Sequence, residues 1–125
     1  MIFDTDMFIW VQRGNTKAAL LMEKTEERYL SIQTYMELLQ CTPNKKQHTI
    51  IKNFLTAFCF KVLPLTENIG HRASIYIEEY TLAAGIRPGD AIIAATAVEN
   101  NMVLLSSNTL HYKIINDLQY KSFTP

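Results

Sequence analysis

The sequence predicts an α/β fold of three layers: a short parallel sheet covered by helices on both faces, as one domain over residues 1–125. Three observations predict it. Short β-rich runs alternate with helical ones along the whole chain. One helical run, residues 91–98, is apolar on every side, which requires burial all round. The chain has 125 residues and 48% of them are hydrophobic, enough for one packed core and too many for a disordered chain.

The elements follow in order. Residues 1–4 form a first strand, buried by its position, and residues 7–13 a helix stopped by Gly14. Asn15 caps a second helix to about residue 24, with Ala18, Leu21 and Met22 on one face. Residues 29–32 are a second strand. A helix over 34–41 has Tyr35, Leu38 and Leu39 at helical spacing and ends before Pro43. Asn44 starts another, to about residue 58, with Ile50, Ile51, Phe54, Leu55 and Phe58 inward. Residues 60–63 are a third strand closed by Pro64, followed by a long helix over 66–84 ended by Gly85. A helix over 89–100, a fourth strand over 102–105, a short helix over 109–117 and a last strand over 120–123 complete the chain. No internal repeat or low-complexity linker interrupts them.

Composition narrows the function. Twelve acidic residues balance twelve basic ones, which counts against a polyanion partner held by bulk charge. Cys41 and Cys59 lack metal-ligand spacing and read as reduced thiols in the core of a cytoplasmic protein. No basic segment precedes the first apolar stretch, as a signal peptide would require, and no apolar run reaches the length of a membrane span. Nucleophile elbows, Gly-rich phosphate loops and zinc spacings are absent.

In a parallel sheet, sites form beyond the carboxyl ends of the strands, where the strand order reverses. Asp4 ends the first strand. Glu37 lies one turn into the helix after the second, in the mostly apolar segment YMELL, where an unpaired carboxylate is costly. Asp90 begins the apolar helix, and Asn108 follows the fourth strand after Ser106 and Ser107. Each has an ordinary alternative: Asp4, Thr5 and Asp6 as caps of the first helix, Asp90 as a cap or first-turn acid, Glu37 on an exposed face, Asn108 as a cap. Taken together they set three acids and an amide at one sheet edge. Converging carboxylates repel unless a cation lies between them, and Mg²⁺ or Mn²⁺ suits oxygen donors. Such a cation activates water and neutralises a phosphodiester.

The segments IFDTD, SIQTYMELL and PGDAIIAATAVENNMVLLSSNTLHY, in this order, resemble the PIN domain, and within it the VapC-like toxin ribonucleases of toxin–antitoxin pairs. The resemblance spans nearly the whole chain. It implies a three-layer α/β fold and hydrolysis of RNA phosphodiesters with Mg²⁺ or Mn²⁺. It assigns the metal-binding acids to Asp4, Glu37 and Asp90, and the fourth catalytic position to Asn108. Thr5 and Ser106 match pocket-lining hydroxyls, and Asp6 stands at a variable pocket position. Asn108 leaves one charge fewer than the full acidic set. The resemblance also implies a VapB-like antitoxin partner and a homodimer, in the cytoplasm and away from membranes. Candidate antitoxin contacts are Phe8, Ile9, Trp10, Leu20 and Leu21, which as apolar residues equally suit the core. Arg13, Lys17, Lys45, Lys46, Arg72, Arg87 and His111 are the local bases for RNA.

Three other readings compete. Haloacid-dehalogenase-type phosphatases also open on a strand and two spaced acids, but Phe8 occupies the third position of that motif here. A receiver-like domain needs an Asp after its third strand, where this chain has Pro64, Leu65 and Thr66. A non-catalytic PIN-like module that binds RNA or protein would not need the acids that are present.

Overall fold

The computed structural model describes residues 1–125. In chain order the elements are β1 (Ile2–Phe3), α1 (Thr5–Gln12), α2 (Thr16–Lys24), β2 (Tyr29–Ser31), α3 (Ile32–Gln40), α4 (Lys45–Ala57), β3 (Lys61–Leu63), α5 (Glu67–Ala84), α6 (Pro88–Glu99), β4 (Leu104–Ser106), α7 (Thr109–Tyr112) and β5 (Tyr120–Ser122). The five strands form one parallel sheet in the order β3-β2-β1-β4-β5. The first strand is therefore central. The order reverses at β1 and β4, and the carboxyl ends of these two strands flank the switch point.

Successive residues of a strand face opposite sides of the sheet, and here they feed two separate cores. Ile2 and Leu104 join α5 and α6, with Tyr112 and Ile115, on one face. Phe3, Leu30 and Leu105 join α1, α2, α3 and α4 on the other. The helix with apolar residues all round is α6: Ala91 and residues 93–97 are buried in it. It is the middle helix of its layer, packed on the sheet and on α5.

Capping sets most helix starts. Asn15, Ser31, Asn44 and Thr66 each accept the backbone N–H of the third residue of the following helix. Asp4 accepts from Thr5 and Ser31 from Thr34, so α1 and α3 begin two residues earlier than periodicity suggests. Gly85 ends α5 in the left-handed conformation, φ 65°. Helix α7 is a single turn, not the two expected over 109–117, because Lys113 ends it and the chain closes through Ile115 and Leu118.

Three expectations about packing need correction. Cys41 and Cys59 are exposed free thiols, not core residues. Both sit just beyond the ends of helices, α3 and α4, where the chain turns outward. Ile50 is half exposed rather than inward, since the buried stripe of α4 runs through Ile51 and Leu55. No helix is long and apolar enough to cross a membrane.

Arg28, which the sequence did not single out, ties the second core together. Its guanidinium donates to the carbonyls of Met22 (2.6 Å), Glu23 (2.8 Å) and Phe58 (2.8 Å), the ends of α2 and α4. These lie at helix ends, where the last carbonyls lack intrahelical donors, although that of Met22 also accepts from the Thr25 N–H (3.3 Å).

Candidate metal centre

The first acid follows directly from β1. Asp4 is 5% exposed, at the carboxyl end of the central strand and at the N-cap of α1. Its Oδ1 accepts from the Thr5 backbone N–H (2.8 Å) and its Oδ2 from the Ser106 hydroxyl (2.7 Å). Ser106 ends β4, so the register that pairs Phe3 with Leu105 sets this serine beside the aspartate. Burial pushes the Asp4 carboxyl up to about 7, with the charges of Asp6 and Asp90 adding to the rise and the two hydrogen bonds opposing it.

Asp6 belongs to the same group. Its Oδ2 lies 3.2 Å from Ser106 Oγ and accepts from the Ser107 backbone N–H (3.0 Å) and the Ser107 hydroxyl. Ser107 Oγ in turn accepts from the Trp10 indole (3.2 Å). Glu37 forms a second group. Its Oε1 accepts from the Thr5 hydroxyl (2.6 Å), which lies 3.1 Å from Thr34 Oγ1, and Thr34 contacts Ser31. Its Oε2 lies 3.4 Å from where a Cβ on Gly89 would stand. Glu37 is therefore held against the first turn of α6.

Asp90 forms the third group. Arg87, not Asp90, holds the N-cap of α6, so the acid is a first-turn residue with its carboxylate free for other partners. Its Oδ2 lies 2.7 Å from His111 Nδ1 and its Oδ1 accepts from the Tyr112 hydroxyl at 3.4 Å. Asn108 sits at the N-cap of α7 but makes no side-chain capping bond; its Nδ2 lies 3.0 Å from His111 Nδ1. Burial raises the Tyr112 phenol well above its ordinary value, and the charges of Asp4, Asp90 and Asp6 add to it.

Asp4, Glu37, Asp90 and Asn108 thus all stand at the switch-point edge of the sheet, with Thr5, Asp6 and Ser106 among them. Thr5 bonds both Asp4 and Glu37, and Ser106 bonds Asp4 and accepts from the Asn108 N–H (2.9 Å), yet no three acidic, histidine or cysteine side chains are gathered closely enough to hold one cation in common. The donor types, though not their spacing, are those of a hard divalent cation. The set is built of carboxylate and amide oxygens, and its most buried member carries a charge that Asp6 and Asp90 oppose.

Of the expected bases, two are already engaged. Arg72 of α5 pairs with Glu99, the last residue of α6, and with Asp117, and His111 faces Asp90. Of the candidate partner contacts, Phe8 is core, Ile9, Trp10 and Leu21 are half-buried, and Leu20 is half exposed. Sequence reasoning passed over Ser107, Thr34, Gly89 and Tyr112, and took His111 only as a base. The polar run SSNTLHY after an apolar strand was the available signal for three of these.

A parallel α/β sheet with carboxylates at its switch point places them where domains of this architecture bind ligands. The family model for the PIN domain matches residues 1–115, and the chain belongs to that family. A chain of VapBC-1 from nontypeable Haemophilus influenzae is 26% identical, covers 98% of each chain and superposes with a TM-score of 0.77. A chain of a toxin-antitoxin complex from Klebsiella pneumoniae is 24% identical over 94% of this chain and 93% of its own, with a TM-score of 0.79. A chain of the DNA-bound VapBC from Salmonella typhimurium is 17% identical over 97% and 96%, also with a TM-score of 0.79. The last two likenesses bear on the fold alone. No curated protein sequence matches the chain.

Proposed function

We propose that this chain is the toxin of a VapBC-type pair, an endoribonuclease that hydrolyses RNA phosphodiesters with Mg²⁺ or Mn²⁺. The observation that carries the reading is the buried Asp4 carboxyl, held ready by Ser106 and Thr5 yet opposed by Asp6 and Asp90. A fold that keeps this arrangement accepts a cost that a bound cation removes.

Asp4, Glu37 and Asp90 would hold the cation, with Asn108 assisting directly or through water. Bound there, it would lower the pKa of water and offset charge on the phosphodiester and the departing oxygen. The chain's own residues do the positioning. Ser106 and the Thr5 N–H fix both oxygens of Asp4, and the Thr5 hydroxyl fixes one oxygen of Glu37. With a net charge of zero, RNA is held by that centre and by local bases, of which Arg13, Lys17, Lys45, Lys46 and Arg87 are exposed.

The proposed partner is a VapB-like antitoxin. Support comes from the neighbours, which are chains of toxin–antitoxin, VapBC and FitAB structures, three of them bound to DNA. An apolar groove between α1, α3 and α4, lined by Phe8, Val11, Leu38, Ile50 and Phe54, suits an apolar segment of such a partner. A homodimer and a cytoplasmic location complete the reading.

The test is cleavage of RNA by the purified protein. The reading expects cleavage with Mg²⁺ or Mn²⁺ and none with EDTA. Cleavage that persists in EDTA, in a preparation free of other nucleases, would overturn it. A second reading, a PIN-like module that binds RNA or protein without cutting, is favoured by one observation, that no three of the acids and histidines are gathered closely enough to hold one cation. Binding of RNA without cleavage at any divalent cation concentration would select it.

A further inference from the structure

We propose that Thr34 is a positioning residue for Glu37: with Ser31 behind it, its buried hydroxyl sets the Thr5 hydroxyl so that Thr5 donates to the Glu37 carboxylate and holds it in place. The inference rests on the reading of Glu37 as part of a ribonuclease centre.

The local sequence supplies the arrangement. Strand β2 runs into α3 with no loop, and Ser31 is both the last residue of β2 and the N-cap of α3. Thr34 is the third residue of that helix, where a capping box would carry a glutamate or glutamine turned back to the cap. A threonine is too short for that. The hydroxyls of Thr49, Thr56 and Thr96 bond the carbonyl one turn back in their helices. For Thr34 that position is Leu30, which lies in β2, and its hydroxyl turns to Thr5 of α1 instead. Glu37 follows three residues later on the same face of α3 and meets the same threonine.

A count of protons gives the contacts a direction. Thr5 Oγ1 lies 2.6 Å from Glu37 Oε1 and 3.1 Å from Thr34 Oγ1. A hydroxyl has one hydrogen. The shorter separation is that of a hydroxyl donating to a carboxylate, so the Thr5 hydrogen is committed to Glu37. Thr34 then donates to Thr5. With its own hydrogen used, Thr34 accepts from the Ser31 hydroxyl at 3.3 Å. Ser31 Oγ in turn accepts the Thr34 backbone N–H (3.0 Å), which anchors the far end. The hydroxyls thus form a one-way chain, Ser31 to Thr34 to Thr5 to Glu37, in which each donor strengthens the next.

The chain serves the carboxylate rather than the fold. Ser31 and Thr34 are 0% exposed, and a valine at position 34 would fill the same space without a polar group to satisfy. Thr5 is the one protein group that bonds the Glu37 side chain, and it bonds Oε1 alone. The chain therefore fixes one oxygen of Glu37 and leaves Oε2 for the reaction.

The experiment is a double-mutant cycle on RNA cleavage with Mn²⁺, using wild type, Thr34→Val, Thr5→Val and the double variant, with Thr34→Ser as the conservative control. Thr34→Val should melt close to the wild type. Its kcat should fall about tenfold or more, the size seen when a group that orients an active-site side chain is lost. KM for RNA should stay within about twofold, since substrate binding is not what the chain sets. Thr34→Ser, which keeps the hydroxyl, should restore most of the rate. In the Thr5→Val background Thr34→Val should cost nothing further, because the two act in series. Wild-type cleavage with Thr34→Val equally active, or with the same fold-loss in both backgrounds, overturns the role of Thr34 and leaves the ribonuclease reading standing. If Thr34→Val does not fold, nuclear magnetic resonance of the wild type decides: the Thr34 hydroxyl proton should exchange slowly with water and lie toward Thr5, and one lying toward Ser31 overturns the chain. No cleavage by the wild type removes the ribonuclease reading and this inference with it.

Discussion

Asp4 concentrates the chemistry of this molecule in one side chain. In the protein free of divalent cations its carboxyl titrates near 7, whereas in the unfolded chain it titrates near 4. The folded state therefore holds more protons than the unfolded state between these values, and stability falls as pH rises from about 4 to about 7. Asp4→Asn removes that dependence while its amide still accepts from Thr5 and donates to Ser106. Urea unfolding of both proteins in EDTA, across that range, should show the gap closing or reversing in favour of the variant at higher pH. A constant gap would mean that Asp4 is ionised without penalty. Gly89 offers a second test at this scale. A Cβ there would stand 3.1 Å from Gln33 Nε2 and 3.4 Å from Glu37 Oε2. Alanine in a helix is favoured over glycine by roughly 0.5–1 kcal/mol, and the Gln33 side chain can swing aside. Gly89→Ala should therefore keep or raise the melting temperature, because the contact with Glu37 Oε2 is an ordinary one and only Gln33 has to move. A fall in melting temperature would mean that Gln33 cannot move and that the first turn of α6 is tightly packed there.

At the scale of elements, the helix starts and the alternation of strands with helices were legible, because caps and apolar periodicity are local. Asn15, Asn44, Thr66 and Gly85 do what their positions suggest. The misjudged features depend on tertiary contacts. Cys41 and Cys59 read as core because their neighbours are apolar, but both lie where a helix has just ended and the chain faces out. Arg28 was invisible because its partners are carbonyls, which every residue has. The acids could be placed at strand ends, but not their hydroxyl and imidazole partners, which come from strands and helices far apart in the chain. Arg28 gives the prediction for this scale. Arg28→Ala removes the guanidinium donor from the carbonyls of Met22, Glu23 and Phe58, of which Met22 keeps the Thr25 N–H. It should destabilise the protein by about 2 kcal/mol in urea, the range for a hydrogen bond to a charged group, without altering the relative affinities for Mn²⁺ and Mg²⁺. A smaller loss, within about 0.5 kcal/mol, would mean that water replaces the guanidinium.

For the whole molecule, the order β3-β2-β1-β4-β5 places one acid-bearing strand at the centre and draws the others around its end. The same topology leaves α1 between the acid centre and the apolar groove. Trp10 links them: its indole reaches Ser107, which holds Asp6, while its ring packs against the second core. A partner seated in the groove should therefore alter Trp10 fluorescence. No change on adding a VapB-like partner that forms a stable complex would place the interface elsewhere.

The central claim is that these acids are assembled to hold a cation, and Asp4 tests it most directly. The measurement is the thermal unfolding of wild type and Asp4→Asn at pH 8, each with EDTA and with Mn²⁺. In EDTA the variant should be at least as stable as the wild type, because a buried and opposed charge is gone. With Mn²⁺ the wild type should gain by mass action, about 2.7 kcal/mol at a hundredfold excess over its dissociation constant, and the variant far less. Equal gains in the two proteins, or none in the wild type, would contradict the account.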